Sequence, residues 1–359
     1  MKFQATREYV KLLGRSLYRD NIRYLGYSAS SIVFRFIGKT ASVTFVSDPD
    51  DFIAEFHAQV AIYRNEEREP LTRIELTKQE ETIDIYSSEV EEEVTLRIVK
   101  LSEPEYAVCG IKEIIIDTDN LLAPPPPKKR RMQLIGDSIT CGFGIEGSEQ
   151  DMIHDTHTEN PMKAYSVLTA EALDTDYEIV AWNGKGVITS YIGEGEEVEE
   201  VPDPSWLVSM LYEYTDAGCE KQYFHNAPDD WEFWDHSSFE PELITVFLGT
   251  NDASYTREIP ERDMVFTESY ISFLERIHGL HPDAKILCML GTMDERLCPA
   301  VEKAVDGFKE AHNDVSIHYL ALPHQLDEDG LGTFWHPSPT THKKTAEVVT
   351  AKAKEIMGW

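Results

Sequence analysis

A chain of 359 residues with 33 Lys and Arg against 65 Asp and Glu carries a formal charge of −32. That balance argues against nucleic acid and anionic membrane as partners, since both carry the same sign of charge. The length is that of two ordinary domains, each able to bury a core of its own, and the five cysteines (Cys109, Cys141, Cys219, Cys288 and Cys298) have no CxxC spacing and read as reduced thiols.

The first twenty residues interleave charges and lack the apolar stretch of a leader, and no later segment approaches a membrane-spanning run. The expectation is a soluble, cytoplasmic protein. Up to about residue 117 apolar residues alternate: Ile32, Phe34 and Phe36, then Val43 and Phe45, then Ile83 and Ile85, then Val94, Leu96 and Ile98. Half-buried strands with polar turns and no helical period predict an antiparallel β-sandwich of jelly-roll type over residues 1–121. The run Leu122-Ala-Pro-Pro-Pro-Pro-Lys-Lys-Arg-Arg131 admits neither a helix nor a central strand, so 122–131 reads as a stiff linker solvated by its four basic residues.

Over residues 132–359 short apolar runs alternate with helical periodicity. The runs are Met132 to Ile135, Ile179 to Trp182, Leu243 to Leu248, Ile286 to Leu290 and Val315 to Leu320. Tyr270, Phe273, Leu274 and Ile277 share one helical face, as do Ala346, Val349, Ala353 and Ile356, with Ser338 and Pro339 as N-cap and N1 of the last helix. Five such units predict an α/β domain with a parallel sheet, whose ligands bind at the carboxyl ends of the strands.

Chemistry-bearing residues fall at those ends. The first run ends in Gly136-Asp-Ser138, where Ser138 follows the strand in a glycine-rich turn. A serine hydroxyl needs an imidazole to take its proton before it can act as a nucleophile. The bland alternative is a Ser-Thr-Gly turn capping the next helix. The third run ends in Gly249-Thr-Asn-Asp252, so Asn251 lies at the same edge, either as an oxyanion donor or as part of a polar turn. The second run ends in Asn183-Gly-Lys-Gly186, offering the backbone N–H of Gly184 or of Gly186, and His336 precedes the last helix. Nucleophile, oxyanion donors and base in this order form the set that acyl transfer requires, with no metal or cofactor.

These four blocks resemble the SGNH/GDSL hydrolases. The resemblance covers about residues 132–359 and implies a flavodoxin-like three-layer α/β/α fold, with Ser138 as nucleophile, its own N–H, Gly184 and Asn251 as oxyanion hole, and His336 as base. The whole chain, through GDSITCGFG, TENPMKAYSVLTAEAL, NGKGV and GTFWHPS, is similar to the second family of carbohydrate esterases, close to acetylxylan esterases of rumen bacteria. That likeness implies removal of O-acetyl groups from xylo- or glucomanno-oligosaccharides. It departs from the wider superfamily where Thr333 stands three residues before His336, the usual place of the triad acid. Asp327 and Asp329 are nearby, and the narrower family is similar in using a backbone carbonyl in that role in some members, so the reading is a Ser–His dyad; without a nearby anion the His336 pKa is expected near or below about 6.5.

Asp151, His154, Asp155 and His157 crowd one loop, but their spacing does not promise converging metal ligands. An insertion over about 187–241 carries Trp206, Trp231, Phe233 and Trp234. Trp231 and Trp234, with Trp335 beside the base, are candidate sugar-stacking residues. The insertion also fits a lid, packing within its own domain, or a subunit interface in a homo-oligomer. The competing functions are a thioesterase or lysophospholipase, which needs a long apolar groove, and an inactive sugar-binding protein, which has no use for a nucleophile with its base.

Overall fold

The structure is a computed structural model that describes residues 1–49, 53–312 and 316–359. Its contacts divide the chain into two units.

The first unit comprises Met1–Pro127, His154–Glu159 and Tyr214–Phe233. Its strands are β1 (Lys2–Phe3), β2 (Lys11–Leu13), β3 (Ser16–Arg19), β4 (Ile22–Leu25), β5 (Ser31–Val46), β6 (Ala58–Arg64), β7 (Thr72–Leu76), β8 (Glu80–Lys100), β9 (Gly110–Ile116) and β10 (Leu121–Leu122). They form a curled antiparallel sheet in which β3-β4-β9-β5-β8-β6-β7 are successive neighbours. The two longest strands, β5 and β8, pair with register shifts between Gly38 and Thr40 and between Ala41 and Ser42, where bulges bend the ladder. The alternation read from the sequence points inward: Ile32, Phe34, Phe36, Val43, Phe45, Val94, Leu96 and Ile98 all lie in the buried core, and Ile83 packs against it half-buried.

The linker is shorter than 122–131. Leu122 pairs with Arg35 in the sheet, Arg130 and Arg131 already belong to the next strand, and the units divide between Pro127 and Lys128. Proline denies a backbone donor only to its own position, so pairing continues on both sides of the four prolines.

The second unit comprises Lys128–Ile153, Asn160–Glu213 and Trp234–Trp359. Strands β11 (Arg130–Gly136), β12 (Thr175–Ala181), β13 (Leu243–Phe247), β14 (Lys285–Leu290) and β15 (Ile317–Ala321) form a parallel sheet in the order β12-β11-β13-β14-β15. This is the doubly wound 2-1-3-4-5 order, with its switch point beside the first strand. Val315, where the fifth apolar run was expected to begin, lies outside the described residues.

The helices of this unit are α1 (Ser138–Cys141), α2 (Tyr165–Ala172), α3 (Val208–Leu211), α4 (Ala253–Thr256), α5 (Pro260–Leu280), α6 (Cys298–Ala311) and α7 (Pro339–Met357). Helix α2 packs with α7 and α5 with α6, giving the three-layer arrangement. Helix α5 buries Tyr270, Phe273, Leu274 and Ile277, and α7 buries Ala346, Val349, Ala353 and Ile356. Ser338 caps α7 by accepting from the Thr341 N–H, with Pro339 at N1. No helix among the described residues is long and apolar enough to cross a membrane.

The 187–241 insertion is not one lid over its own domain, because residues 214–233 belong to the first unit. There the Arg19 guanidinium donates to both carboxylate oxygens of buried Glu220 at 2.8 and 2.6 Å, and Tyr24 meets Phe224 edge-on at 5.3 Å. Cys219 joins a small core with Leu17, Tyr24 and Val108. A charge-assisted pair backed by an aromatic cluster fixes this segment far from its place in the sequence.

Candidate active site

Ser138 opens α1 directly after β11 and is 4% exposed. The preceding Asp137 caps that helix by accepting from the Ile139 N–H at 3.1 Å, so three consecutive residues end the strand, cap the helix and present the hydroxyl. His336 lies in the turn before α7, with Nε2 2.9 Å from Ser138 Oγ and Nδ1 3.0 Å from the Thr333 carbonyl oxygen. The carbonyl accepts only, so Nδ1 carries the proton and Nε2 is left to receive the serine proton. Burial pushes the imidazole pKa down to about 4, against the opposing pull of the Thr333 and Phe334 backbone acceptors. Phe143 supplies part of that apolar surrounding, its ring centroid 4.6 Å from that of His336.

No carboxylate among the described residues contacts His336. Asp329 is turned to the Lys344 ammonium, 2.7 Å away, and Asp327 is exposed in its short turn. The Thr333 position thus contributes its backbone oxygen where the superfamily pattern has an acid.

The turn carrying His336 is held in an unusual conformation. Phe334 and Trp335 have φ of 51° and 58°, a left-handed backbone that bulky side chains rarely adopt. Hydrogen bonds from the Thr333 N–H to Gly144 O (3.0 Å) and from the Phe334 N–H to Asp151 O (3.2 Å) fix it. Such outliers cost about 1–3 kcal/mol each and concentrate at functional sites.

The oxyanion candidates come from the ends of β12 and β13. Asn251 Nδ2 donates to the Lys185 carbonyl oxygen at 3.1 Å and, more weakly, to Asp137 Oδ2 at 3.4 Å. An amide has two such hydrogens, and the one on the longer contact is the one available to a stronger acceptor. Between the two glycines left open by the sequence, the geometry separates their tasks. The Gly186 N–H is taken by Thr189 O at 2.9 Å, and a Cβ there would lie 2.4 Å from Asp252 Oδ2. Gly184 has φ +68°, open space around a Cβ position, and an N–H that no described acceptor engages.

Two carboxylates went unrecognised in the sequence. Burial raises Asp137 to about 7, with the charge of Asp252 adding to the rise, and raises Asp252 to about 6. Their signal was position: each adjoins a candidate residue at a strand end, where the surrounding layer is apolar.

The tryptophans divide. Trp335 is 52% exposed beside His336, whereas Trp231 is 4% exposed. Within the first unit, Trp231 meets Tyr214 edge-on at 5.1 Å and donates Nε1 to the Asn226 carbonyl oxygen at 3.0 Å. Trp231 has no open face on which a sugar could stack, which corrects the expectation for that residue. Trp234 is half-buried in the second unit, its N–H bonded to Glu213 O. The crowded loop 151–157 is also dispersed: Asp151 accepts from Ser148, His157 pairs with Asp155 at 2.7 Å, and His154 stacks on Tyr106 with Nε2 3.3 Å from Glu159.

The profile of the GDSL-like Lipase/Acylhydrolase family matches residues 134–344. The chain belongs to that family. Among curated proteins, Cellulase/esterase CelE of Acetivibrio thermocellus is 28% identical over 93% of this chain, and the chain spans only 38% of that protein's length. An acetylxylan esterase / glucomannan deacetylase of Cellvibrio japonicus is 26% identical, the match covering 81% of this chain and 75% of that protein. Among solved structures, a family two carbohydrate esterase from Clostridium thermocellum in complex with cellohexaose matches with a TM-score of 0.83 at 27% identity, covering 98% of this chain and 99% of that one. The acetyl xylan esterase Est2A from the rumen bacterium Butyrivibrio proteoclasticus matches over 100% of both chains with a TM-score of 0.88 at 20% identity, a likeness of fold. The chain is thus similar, over nearly its whole length, to family two carbohydrate esterases.

Proposed function

We propose that this protein is a serine esterase that removes O-acetyl groups from acetylated xylo- or glucomanno-oligosaccharides through a Ser138–His336 dyad. The observation that carries the reading is the 2.9 Å contact between His336 Nε2 and Ser138 Oγ, with Nδ1 anchored on a carbonyl. In the first step His336 takes the Ser138 proton as Oγ attacks the acetyl carbonyl, and the Ser138 N–H, the Gly184 N–H and Asn251 Nδ2 receive the oxyanion. As the tetrahedral intermediate collapses and its bond to the sugar oxygen breaks, the imidazolium protonates that oxygen, and the sugar leaves as an alcohol. Water, deprotonated by the same imidazole, releases acetate from the acyl-enzyme.

The carbohydrate substrate is supported by the family two relatives, one of them bound to cellohexaose. Exposed Trp335 beside the base offers an aromatic face for a sugar ring. A long-chain acyl substrate finds less support. A cleft of about 440 Å³ lined by Val187, Ile188, Leu207, Val265 and Phe273, among others, is lined by none of Ser138, Gly184, Asn251 and His336. Five free thiols, four of them buried, fit a reducing compartment.

The test is acetate release from acetylated xylo- and glucomanno-oligosaccharides, compared with fatty-acid release from long-chain esters, by wild type and Ser138→Ala. Acetate release that is lost in the variant supports the reading, and an active Ser138→Ala protein ends it.

A further inference from the structure

Asn251 is followed by a residue whose placement is harder to explain as packing. Asp252 is fully buried, and its carboxylate accepts from three consecutive backbone N–H groups. They are Val187 (2.9 and 3.1 Å to its two oxygens), Ile188 (2.8 Å) and Thr189 (3.3 Å). No cation pairs with it among the described residues, so its charge is met by backbone dipoles alone, an arrangement like an anion-binding nest. Burying a charge without a counter-ion is costly, and an apolar or amide residue would avoid that cost. All three N–H groups reach Oδ1, and Val187 reaches Oδ2 as well. An amide could keep its oxygen on the three but would set its own donors against the Val187 N–H and give up the charge that strengthens each bond.

What those N–H groups belong to gives the arrangement its meaning. The 183–190 turn carries Gly184, and the Asn251 side chain is bonded to Lys185 O in the same turn. Ser254 adds a further tie, accepting from the Ile192 N–H at 2.9 Å. Gly186 completes the fit, since a Cβ at that position would overlap the Asp252 carboxylate. Residues 251, 252 and 254 therefore grip this turn and the chain just beyond it at 185, 187–189 and 192.

We propose that Asp252 is a positioning residue for the oxyanion hole: by clamping 187–189 it holds the Gly184 N–H in register with the Asn251 amide. The proposal rests on the Ser138 esterase reading and goes beyond it, because Asp252 touches neither substrate nor the reacting atoms. A displacement of about 1 Å in such a donor is enough to cost on the order of 10²-fold in rate.

Two variants test it independently, Asp252→Asn, which removes the charge and sets an amide donor against the Val187 N–H, and Gly186→Ala, which pushes the carboxylate aside without removing it. Each is assayed on 4-nitrophenyl acetate, with the reactive serine counted by end-point titration with a fluorophosphonate and with inhibition by a boronic acid that forms a tetrahedral adduct. Expected is a fall in kcat of about 10- to 100-fold per titrated serine, little change in KM, and a boronate affinity that weakens in step with kcat. Unchanged kcat per titrated serine overturns the proposal, whether or not fewer serines react or the melting temperature falls, because Asp252 is then a folding residue. A rise in KM alone overturns it too. Ser138→Ala is run alongside: activity surviving in that variant defeats the esterase reading itself, a result distinct from any outcome at Asp252.

Discussion

Ser138 and His336 approach each other from two turns built in opposite ways. Around Ser138 everything needed lies within a few residues: β11 ends, Asp137 caps α1, and Ser138 is the first residue of that helix. Around His336 almost nothing is local. Its turn contains two bulky residues in left-handed backbone, is pinned by carbonyls of Gly144 and Asp151 nearly two hundred positions earlier, and orients the imidazole through the Thr333 oxygen. The Ser138 turn is a low-energy motif that local sequence favours, whereas the His336 turn holds strain that only the assembled unit can support.

The largest effect that sharpens this contrast is expected at Asn251, whose side chain joins the nucleophile turn to the neighbouring strand end. Asn251→Ala should lower kcat by about 10²–10³-fold with little change in KM, because the oxyanion contact strengthens as the carbonyl oxygen becomes negative. Steady-state kinetics on 4-nitrophenyl acetate read this directly, and a change in KM alone would make Asn251 a binding residue.

Next is the titration of His336. With its pKa pushed down to about 4, the imidazole should stay neutral, and competent as a base, until the pH falls near that value. Followed by NMR of labelled histidine, a midpoint near the ordinary value of about 6.5 would mean that the base turn does not bury the ring. The linked effect on stability has a defined sign. The folded pKa lies below the unfolded one, so the support this group gives the fold is complete above about pH 6.5 and is withdrawn as the pH falls toward 4.

A smaller effect is expected at Trp335. Trp335→Gly accepts the positive φ without strain, so the melting temperature should hold or rise slightly, while KM for acetylated oligosaccharide rises and that for 4-nitrophenyl acetate does not. A marked loss of thermal stability would show that the indole secures the turn instead.

The smallest effect is expected at Asp329. Its carboxylate is engaged by Lys344, so Asp329→Asn should change kcat/KM by less than about threefold, far from the roughly 10⁴ that follows loss of a true triad acid. A loss near that size would mean that the acid exists and that the carbonyl anchor is incidental.

Periodicity determined the two kinds of unit, and the residue types Ser338 and Pro339 the α7 cap, because alternation, helical spacing and capping are properties of neighbouring residues. It also placed Ser138, Asn251 and His336 at strand or helix ends, since those positions follow from where each apolar run stops. The carbonyl partner of His336, the engagement of the Gly186 N–H by Thr189 and the contacts of Asp252 with 187–189 required the tertiary structure. Each depends on a contact between segments tens to hundreds of residues apart, and no local pattern records it. The fate of the tryptophans was hidden for the same reason: residues 214–233 pack into the first unit through Arg19 and Tyr24, so Trp231 is buried there, while Trp335, raised on a strained turn, stays open to solvent.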